Sequence, residues 1–243
     1  MNVIGSRTSN DLVTEMSAVH YHSEIAIHFH DSYKYDANRH ERLMVWRKYL
    51  DRYLGEATVV YDMGCGSGIL SAEVAARGIR TIAIDGSARM LELARRTARE
   101  NGCSNIEFRQ HELPIRTIAG FERADVVISS SVVEYLESVR ETLVAFRDLL
   151  HTRGIVIFSM PNGDSFKRKI VRLVHRLAGR PRYLKLIKHF ATVNSLKQDL
   201  AATELTYLDH TYLEGSRLFD RLIRQFIGKR RSNNMIIVAA RRD

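Results

Sequence analysis

Cysteine is scarce in this chain and long apolar runs are missing, and both facts restrict its class. The two cysteines, Cys65 and Cys103, form neither a disulfide framework nor a spacing that ligates metal. No apolar run approaches the about 18 residues needed to cross a bilayer. The N-terminal residues also lack the apolar core of a signal peptide. We therefore expect a cytoplasmic protein.

Internal repeats and low-complexity tracts are also missing. A length of 243 residues with 45% apolar content suits one domain with an elaboration better than two domains. The net charge of +9 is uneven, because residues 164–190 carry nine Lys or Arg against one acidic residue, whereas residues 1–163 carry 19 against 21. The basic character therefore belongs to a segment after the first 163 residues and to the tail.

Short apolar segments alternate with amphipathic ones from residue 58 onwards. This alternation predicts an α/β fold with a doubly wound, mostly parallel sheet of seven strands. We expect strands at 58–63, 79–84, 105–109, 124–129, 154–160, 205–213 and 235–240. We expect helices at 67–77, 87–101, 138–151, 194–203 and 216–227.

A glycine turn carries the strongest functional signal. A predicted strand ends near Asp62 and is followed by Gly64, Gly66 and Gly68, which open a helix. Such a turn lets backbone amides approach a nucleotide-like ligand. Asp85 follows at the end of the next strand, where a carboxylate can accept the two hydroxyls of a ribose. The first half of the chain therefore indicates a nucleoside-bearing cofactor.

The spacing of these residues distinguishes between cofactors. A dinucleotide fingerprint is G-x-G-x-x-G, whereas this turn is G-x-G-x-G with Asp62 two residues ahead of it. A carboxylate there repels a pyrophosphate but suits the cationic amino-acid end of S-adenosylmethionine, directly or through water. The pattern resembles the class I S-adenosylmethionine-dependent methyltransferases, which have a Rossmann-like fold with an antiparallel last strand. The predicted cofactor is therefore S-adenosylmethionine.

This resemblance implies further cofactor contacts. Gly86 and Met90 follow Asp85, and Met90 matches a position near the adenine, although it equally suits a helix core. After the third strand, either His111 or Glu112 is expected to accept the adenine amine, and the predicted site includes Glu112.

The segment that follows the fourth strand resembles the family's lining of the methionine end, with Ser130 and Ser131 as its candidates. The chain is also similar to the ubiquinone-type O-methyltransferases, in which an arginine near the position of Arg42 binds the cofactor carboxylate. Some of these enzymes assemble a metal site from two glutamates and a histidine, but here Ser131, Glu134 and Tyr135 correspond to them. One carboxylate is a poor divalent-cation site, so no metal is predicted.

Residues 1–50 look helical and, by the resemblance, form a lid over the cofactor. The core is expected at 51–163, a basic helical insert at 164–190 and the rest of the core at 191–243. His189 is the first candidate for a general base, and Tyr33 is a second candidate in the pocket. The N-terminal histidines, which lack the spacing of a metal-ligand pair, are interpreted as polar lid residues; they are His20, His22, His28 and His30.

The insert 164–190 is amphipathic at helical spacing, with Phe166 and Ile170 on one face and Arg168 and Lys169 on the other. Two interpretations stay open: peripheral contact with an anionic membrane, or a lid with its apolar face packed inward. The predicted function is methyl transfer, most simply O-methylation, to a small lipophilic or anionic acceptor. The alternatives are a nucleic-acid methyltransferase, which the fourth motif disfavours, and a non-enzymatic binding module. The oligomeric state is left open.

Overall fold

The structure, a computed structural model, describes residues 18–24, 36–115, 120–166, 168–170, 182–213, 228 and 230–243. The predicted pocket residue Tyr33 and the predicted helix 216–227 lie outside these residues. Much of the predicted lid and the middle of the basic insert lie outside them as well.

Strands and helices alternate along the described chain. The helices are α1 (Ala18–Glu24), α2 (Ala37–Tyr53), α3 (Ile69–Ala75), α4 (Ala88–Glu100), α5 (Val139–Leu149) and α6 (Val193–Ala201), with 3-10 turns at Val133–Tyr135 and Arg182–Lys185. The strands are β1 (Val59–Met63), β2 (Arg80–Asp85), β3 (Ile106–Gln110), β4 (Ala124–Ser130), β5 (Leu150–Pro161), β6 (Leu205–Leu213) and β7 (Met235–Arg242).

All seven strands form one sheet, in the order β3-β2-β1-β4-β5-β7-β6. The first five strands in this order, from β3 to β5, pair in parallel, while β7 is antiparallel to both β5 and β6. This arrangement confirms the predicted doubly wound sheet, including its antiparallel last strand.

Most boundaries fall within two residues of the predicted ones, and β5 is the exception. It begins at Leu150, whereas the sequence predicted a helix through residue 151 and a strand from 154. Leu149 and Leu150 are both buried, so the apolar periodicity continues across the true helix end. Leu150 pairs with Ala124 across a register shift, which is a tertiary contact and leaves no local signal.

Helices cover both faces of the sheet. Neighbouring residues of β1 point to opposite sides, so Val60 packs with Trp46 and Leu50 of α2 whereas Tyr61 packs with Phe146 of α5. Burial on both faces explains why the sequences of the parallel strands are continuous apolar runs.

The strand order reverses between β1 and β4, because β2 lies on one side of β1 and β4 on the other. In open α/β sheets, the carboxyl ends of the strands on either side of such a switch point border a ligand crevice. The fold therefore brings three segments to one edge of the sheet: the glycine turn after β1, Asp85 at the end of β2 and Ser130 at the end of β4.

Candidate functional site

The glycine turn has a backbone that favours glycine at every second position. Gly64, Gly66 and Gly68 have φ values of 75°, 54° and 78°, in the left-handed region. Space is short as well, since a Cβ on Gly64 would lie 2.3 Å from Cγ2 of Val132 and one on Gly68 would lie 2.8 Å from Cβ of Ala94. The G-x-G-x-G spacing therefore reflects both the turn geometry and its packing against the segment after β4 and helix α4.

Asp85 joins the glycine turn to the turn that follows β2. Its carboxylate accepts a hydrogen bond of 2.8 Å from the Gly66 amide and one of 2.9 Å from the Ser87 amide. Burial raises the pKa of Asp85, and the two amide bonds oppose that rise. Each carboxylate oxygen has a second lone pair, so the side chain can hold the two turns together and still accept hydroxyls from a ligand.

Asp62 lies behind the glycine turn. It is 1% exposed, and its Oδ2 accepts a hydrogen bond of 2.6 Å from the Ser71 hydroxyl in α3. Burial raises the pKa of Asp62 to about 7, with Ser71 opposing and Asp85 adding to that rise. Asp62 therefore fixes the start of α3 against β1, and its effect on a ligand in front of the turn is transmitted through the turn.

Helix α1 covers the turn that follows β2. The Ser23 and Ser87 hydroxyls are 2.6 Å apart. Val19 lies so close to Gly86 that a Cβ there would be 3.1 Å from its Cγ2. The ring of His22 lies edge-on against the ring of Tyr135, with centroids 5.3 Å apart. This short helix therefore links the end of β2 to the 3-10 turn that follows β4.

The predicted adenine contacts lie near Gly86, although their surroundings differ. Met90 is 2% exposed within α4, and its amide donates to the Ser87 hydroxyl at 3.2 Å. The side chain of Glu112 lies beside Gly86, 3.8 Å from the position of an added Cβ. His111 instead packs on Phe121 and its Nδ1 donates to the Glu112 carbonyl at 2.6 Å. Of the two alternatives in this loop, Glu112 is the residue placed at the turn after β2.

Arg42 reaches the end of β4 from helix α2. Its Nη2 donates to the Ser130 hydroxyl at 2.5 Å and to the Ser131 hydroxyl at 2.9 Å. Ser131 has a φ of 57°, and its amide donates to the Ser159 hydroxyl at 2.9 Å. Left-handed backbone at a non-glycine residue stores strain and is frequent at functional sites. The strained turn aims two serine hydroxyls at one guanidinium.

His189 anchors the end of the insert. Its Nε2 lies 3.0 Å from the carbonyl oxygens of both Leu136 and Glu137, and because carbonyls accept hydrogen bonds, Nε2 carries the proton. The amides of Lys188 and His189 donate to the Glu134 carbonyl at 2.8 Å and 3.2 Å. A base role for His189 would therefore belong to Nδ1.

A family model described as "Methyltransferase domain" matches residues 54–211, which is more than half of the chain. The chain belongs to this methyltransferase family. The matched region contains the glycine turn, Asp85 and the turn after β4, which are the parts that meet at the switch point.

Curated relatives of this methyltransferase include two ubiquinone biosynthesis O-methyltransferases. The protein from Cereibacter sphaeroides is 35% identical over 118 residues, covering 48% of this chain and 47% of the relative. The protein from Methylocella silvestris is 30% identical over 167 residues, covering 66% and 64%. The chain thus spans about half to two thirds of the length of these relatives.

Solved methyltransferase structures have the same fold. The magnesium protoporphyrin IX methyltransferase from Synechocystis PCC 6803, with bound S-adenosylhomocysteine, has a TM-score of 0.65 at 16% identity over 84% of this chain and 85% of that one. The N-methyltransferase NodS from Bradyrhizobium japonicum WM9, also with S-adenosylhomocysteine, has a TM-score of 0.62 at 17% identity over 92% and 98%.

The site of this methyltransferase fits S-adenosylmethionine, the cofactor predicted from the sequence. The switch-point crevice combines a carboxylate at Asp85, a cation at Arg42 and a glycine turn. The Ser67 hydroxyl, at the start of α3, is buried and has no hydrogen-bond partner among the described residues. A buried hydroxyl of this kind is costly unless a ligand or water satisfies it. The buried Ser67 hydroxyl therefore marks a position in this methyltransferase domain where a bound ligand or water would supply a hydrogen bond.

Two residues near the site were not selected from the sequence. His22 was interpreted as a polar lid residue, yet burial first and Arg39 second lower its pKa, and its ring contacts Tyr135. Glu134 is 2% exposed, and burial raises its pKa to about 7 against the opposing charges of Arg42 and Arg168. Both depend on contacts between distant segments, so helical spacing held no signal for either.

The described parts of the insert differ in how their apolar side chains are placed. At its start, Phe166 and Ile170 are 56% and 46% exposed, whereas Leu184, near its end, is 8% exposed. The lid with an inward apolar face therefore stays a prediction for the insert as a whole. Arg168 packs inward, where its Nε donates to the Asn234 carbonyl at 2.9 Å. The carbonyl just before β7 thus gives this guanidinium a partner in the domain, whereas Lys169, predicted on the same face, is exposed.

Among the helices in the described ranges, none has the length and apolar character to cross a membrane. Within the same ranges, no group of three or more His, Cys, Asp or Glu is placed to hold a metal ion.

Proposed function

We propose that this methyltransferase transfers a methyl group to a hydroxyl oxygen of a small lipophilic or anionic acceptor. The observation that carries the proposal is the position of His22, a half-buried imidazole with a lowered pKa, beside the turn after β4. A hydroxyl must lose its proton to become a good nucleophile, and a neutral imidazole can accept it. The names of the ubiquinone biosynthesis relatives support oxygen as the acceptor atom.

Within this proposal, each part of the crevice has a role toward the cofactor, whose sulfonium supplies an activated methyl group. Arg42 pairs with the carboxylate, Asp85 accepts the ribose hydroxyls, and Glu112 accepts the adenine amine. Asp62 acts through the glycine turn on the cationic end, and the remaining assigned contacts are Gly64, Gly66, Gly68, Gly86, Met90 and Ser130. The chain's task is alignment of the two reactants, exclusion of water and removal of one proton.

His22 and His189 are distinguishable as bases. His22 lies on the helix that covers the site, whereas Nε2 of His189 is committed to two carbonyls. Replacing His22 with Gln is expected to lower kcat about 100-fold, the size of a lost general base, with little change in affinity for S-adenosylhomocysteine. A large loss of kcat in His189→Gln but not in His22→Gln would instead assign the base to His189.

The experiment for the function is a methylation assay with small phenols and catechols, with and without a prenyl chain. S-adenosylhomocysteine formation and product mass are measured, and the methylated atom is located by NMR. We expect O-methylation, faster for prenylated acceptors. Methylation at nitrogen or carbon, or of nucleic acid in place of every small acceptor, would overturn the proposal. Tight cofactor binding without any methylation would favour a binding module.

We further propose peripheral contact of the insert with an anionic membrane. At the start of the insert Phe166 and Ile170 are exposed, and the side chains of Lys169 and Lys185 in the insert are exposed as well. Apolar side chains flanked by cations suit the interface of an anionic bilayer, where each cation contributes about 1 kcal/mol.

Co-sedimentation with anionic and with neutral vesicles tests this contact. The double variant Phe166→Ser, Ile170→Ser is expected to lose binding to anionic vesicles. Met44→Ser serves as the matched control, because Met44 is 55% exposed but lies on α2. Equal binding of both variants, or no binding by the wild type, would refute the membrane contact while leaving the methyl transfer proposal intact.

A further inference from the structure

Glu134 is a buried carboxyl that the proposed chemistry does not use. It lies in the 3-10 turn Val133–Tyr135, is 2% exposed, and its Oε2 has no hydrogen-bond partner within the described part of the chain. An under-satisfied buried carboxyl costs free energy unless a ligand, a proton or a charge compensates it. Its place directly after β4 puts it at the end of the crevice where Arg42 lies.

Charged and polar groups face Glu134 from each neighbouring element. Arg42 acts on it from α2, Arg168 from the insert, and the Ser131 hydroxyl from the end of β4. Its main-chain carbonyl accepts from the amides of Lys188 and His189. The Lys188 ammonium is itself paired with Glu137.

The two arginines differ in what holds them. Arg168 donates to the Asn234 carbonyl and lies over the ring of Phe190, which fixes it to the domain. Arg42 instead donates to two neutral hydroxyls, those of Ser130 and Ser131, and these hydrogen bonds leave its charge uncompensated. Of the two guanidiniums, Arg42 opposes the rise in the pKa of Glu134 more strongly, so Glu134 is a buried negative group that can balance Arg42.

We propose that Glu134 is a positioning residue that balances Arg42 before the cofactor binds and takes up one proton from solvent when the carboxylate of the cofactor docks on Arg42. In this step one solvent proton bonds to a Glu134 carboxylate oxygen, the side chain becomes a neutral acid, and no other bond changes. The proposal rests on the assignment of Arg42 as the cofactor's carboxylate partner.

Electrostatics determines whether Glu134 takes up or releases a proton when the cofactor binds. Two carboxylates that share one guanidinium away from water disfavour each other's charged form. Burial already raises the pKa of Glu134 to about 7, so this carboxyl changes its protonation state near neutral pH. A second carboxylate raises that pKa further. Cofactor binding should therefore be strongest below pH 7 and weaken as the pH rises through the pKa of the bound state.

Isothermal titration with S-adenosylhomocysteine tests the uptake, because this probe carries the same carboxylate and no sulfonium. Titrations at pH 7.5 in phosphate and in Tris, which differ in ionisation enthalpy, give the number of protons taken up. If binding raises the pKa by one unit, the wild type takes up about half a proton more than Glu134→Gln. Asp62 and the ligand's ammonium titrate alike in both proteins, so the difference isolates Glu134.

Glu141→Gln is the matched control, since Glu141 is an exposed carboxyl on α5. It should behave as the wild type. The same pKa change gives the wild type a dissociation constant that rises about tenfold more between pH 6 and pH 9 than that of Glu134→Gln. Equal proton numbers in wild type and Glu134→Gln, or equally weakened binding of the variant at every pH, would overturn the proposal.

A second measurement needs no variant. The carboxyl carbon shift of Glu134, followed by NMR over pH in the wild type, should titrate at a higher midpoint when S-adenosylhomocysteine is present. An unchanged midpoint overturns the proposal even if Glu134→Gln fails to fold. Failure of the wild type to bind S-adenosylhomocysteine at millimolar concentration would instead contradict the assignment of the cofactor site.

Discussion

Single residues around the glycine turn have two proposed tasks, because the atoms that shape the turn also border the proposed cofactor crevice. Asp85 joins two turns through the Gly66 and Ser87 amides. Gly64 must be small because of Val132 and must adopt a φ of 75°. Substitutions at these residues are therefore expected to affect affinity and stability together, and matched controls are needed to separate the two.

Replacing Asp85 with Asn should weaken S-adenosylhomocysteine binding at least about tenfold and lower stability by about 1–3 kcal/mol. The amide presents an N–H to one of the two backbone donors, so a buried donor loses its acceptor. Titration calorimetry and urea unfolding measure the two effects. Asp51→Asn, at an exposed aspartate paired with Arg77, should change neither by more than a small amount; an unaltered affinity in Asp85→Asn would refute the ribose assignment.

Gly64→Ala should destabilise the protein by roughly 1–3 kcal/mol more than Gly102→Ala, because overpacking adds to the cost of a positive φ. Gly102 also has a positive φ, of 65°, but an added Cβ there meets nothing within 4 Å. Urea unfolding gives both values. Shortening Val132 to Ala should recover part of the loss at Gly64, and no recovery would mean that the steric contact with Val132 is not the cause.

At the level of elements, the N-terminus of α4 is a junction. Ser87 caps this helix by accepting from the Met90 amide, and its hydroxyl also contacts Ser23 of α1. Ser138 caps α5 in the same way by accepting from the Glu141 amide, but no hydrogen bond from it to α1 is described. Comparing substitutions at the two caps therefore separates the effect on helix stability from the effect on attachment of α1.

Replacing either Ser87 or Ser138 with Ala should cost about 1 kcal/mol of unfolding free energy, the usual loss for an N-cap. Ser87→Ala should in addition raise the dissociation constant of S-adenosylhomocysteine, because α1 loses a contact to the turn it covers. Chemical unfolding and calorimetry on both variants test this. Equal affinities in the two variants would show that the Ser23 contact does not help to close the site.

At the scale of the whole molecule, two fully buried carboxyls, Asp62 and Glu134, lie at neighbouring strand ends and both have a pKa raised to about 7. A carboxyl whose pKa is higher in the folded than in the unfolded state favours folding at low pH. That contribution is fully present below the unfolded pKa, near 4, and is lost as pH rises through 7.

Asp62→Asn should therefore flatten the dependence of stability on pH between about pH 4 and pH 7. The difference in unfolding free energy between variant and wild type should grow in favour of the variant by on the order of 3 kcal/mol over that range. Urea unfolding at several pH values measures it. A difference that stays constant with pH would mean that Asp62 keeps an ordinary pKa.

The sequence predicted the sheet well because parallel strands buried on both faces leave long apolar runs between amphipathic helices. The predicted end of α5 was wrong because Leu149 and Leu150 are both buried, so the pattern of apolar residues does not change at the true helix end. The inward position of Arg168 was not predictable either, since its partner is the Asn234 carbonyl, 66 residues further along the chain.

By itself, the sequence determined the fold class and predicted the cofactor, because the glycine turn, Asp62 and Asp85 are local patterns whose geometry follows from backbone sterics and strand alternation. The tertiary structure decided which residues face one another across the crevice. Arg42 with Ser130 and Ser131, and His22 with Tyr135, join segments about 90 residues or more apart. Such contacts arise when separate strands end at one sheet edge, and no local periodicity encodes them.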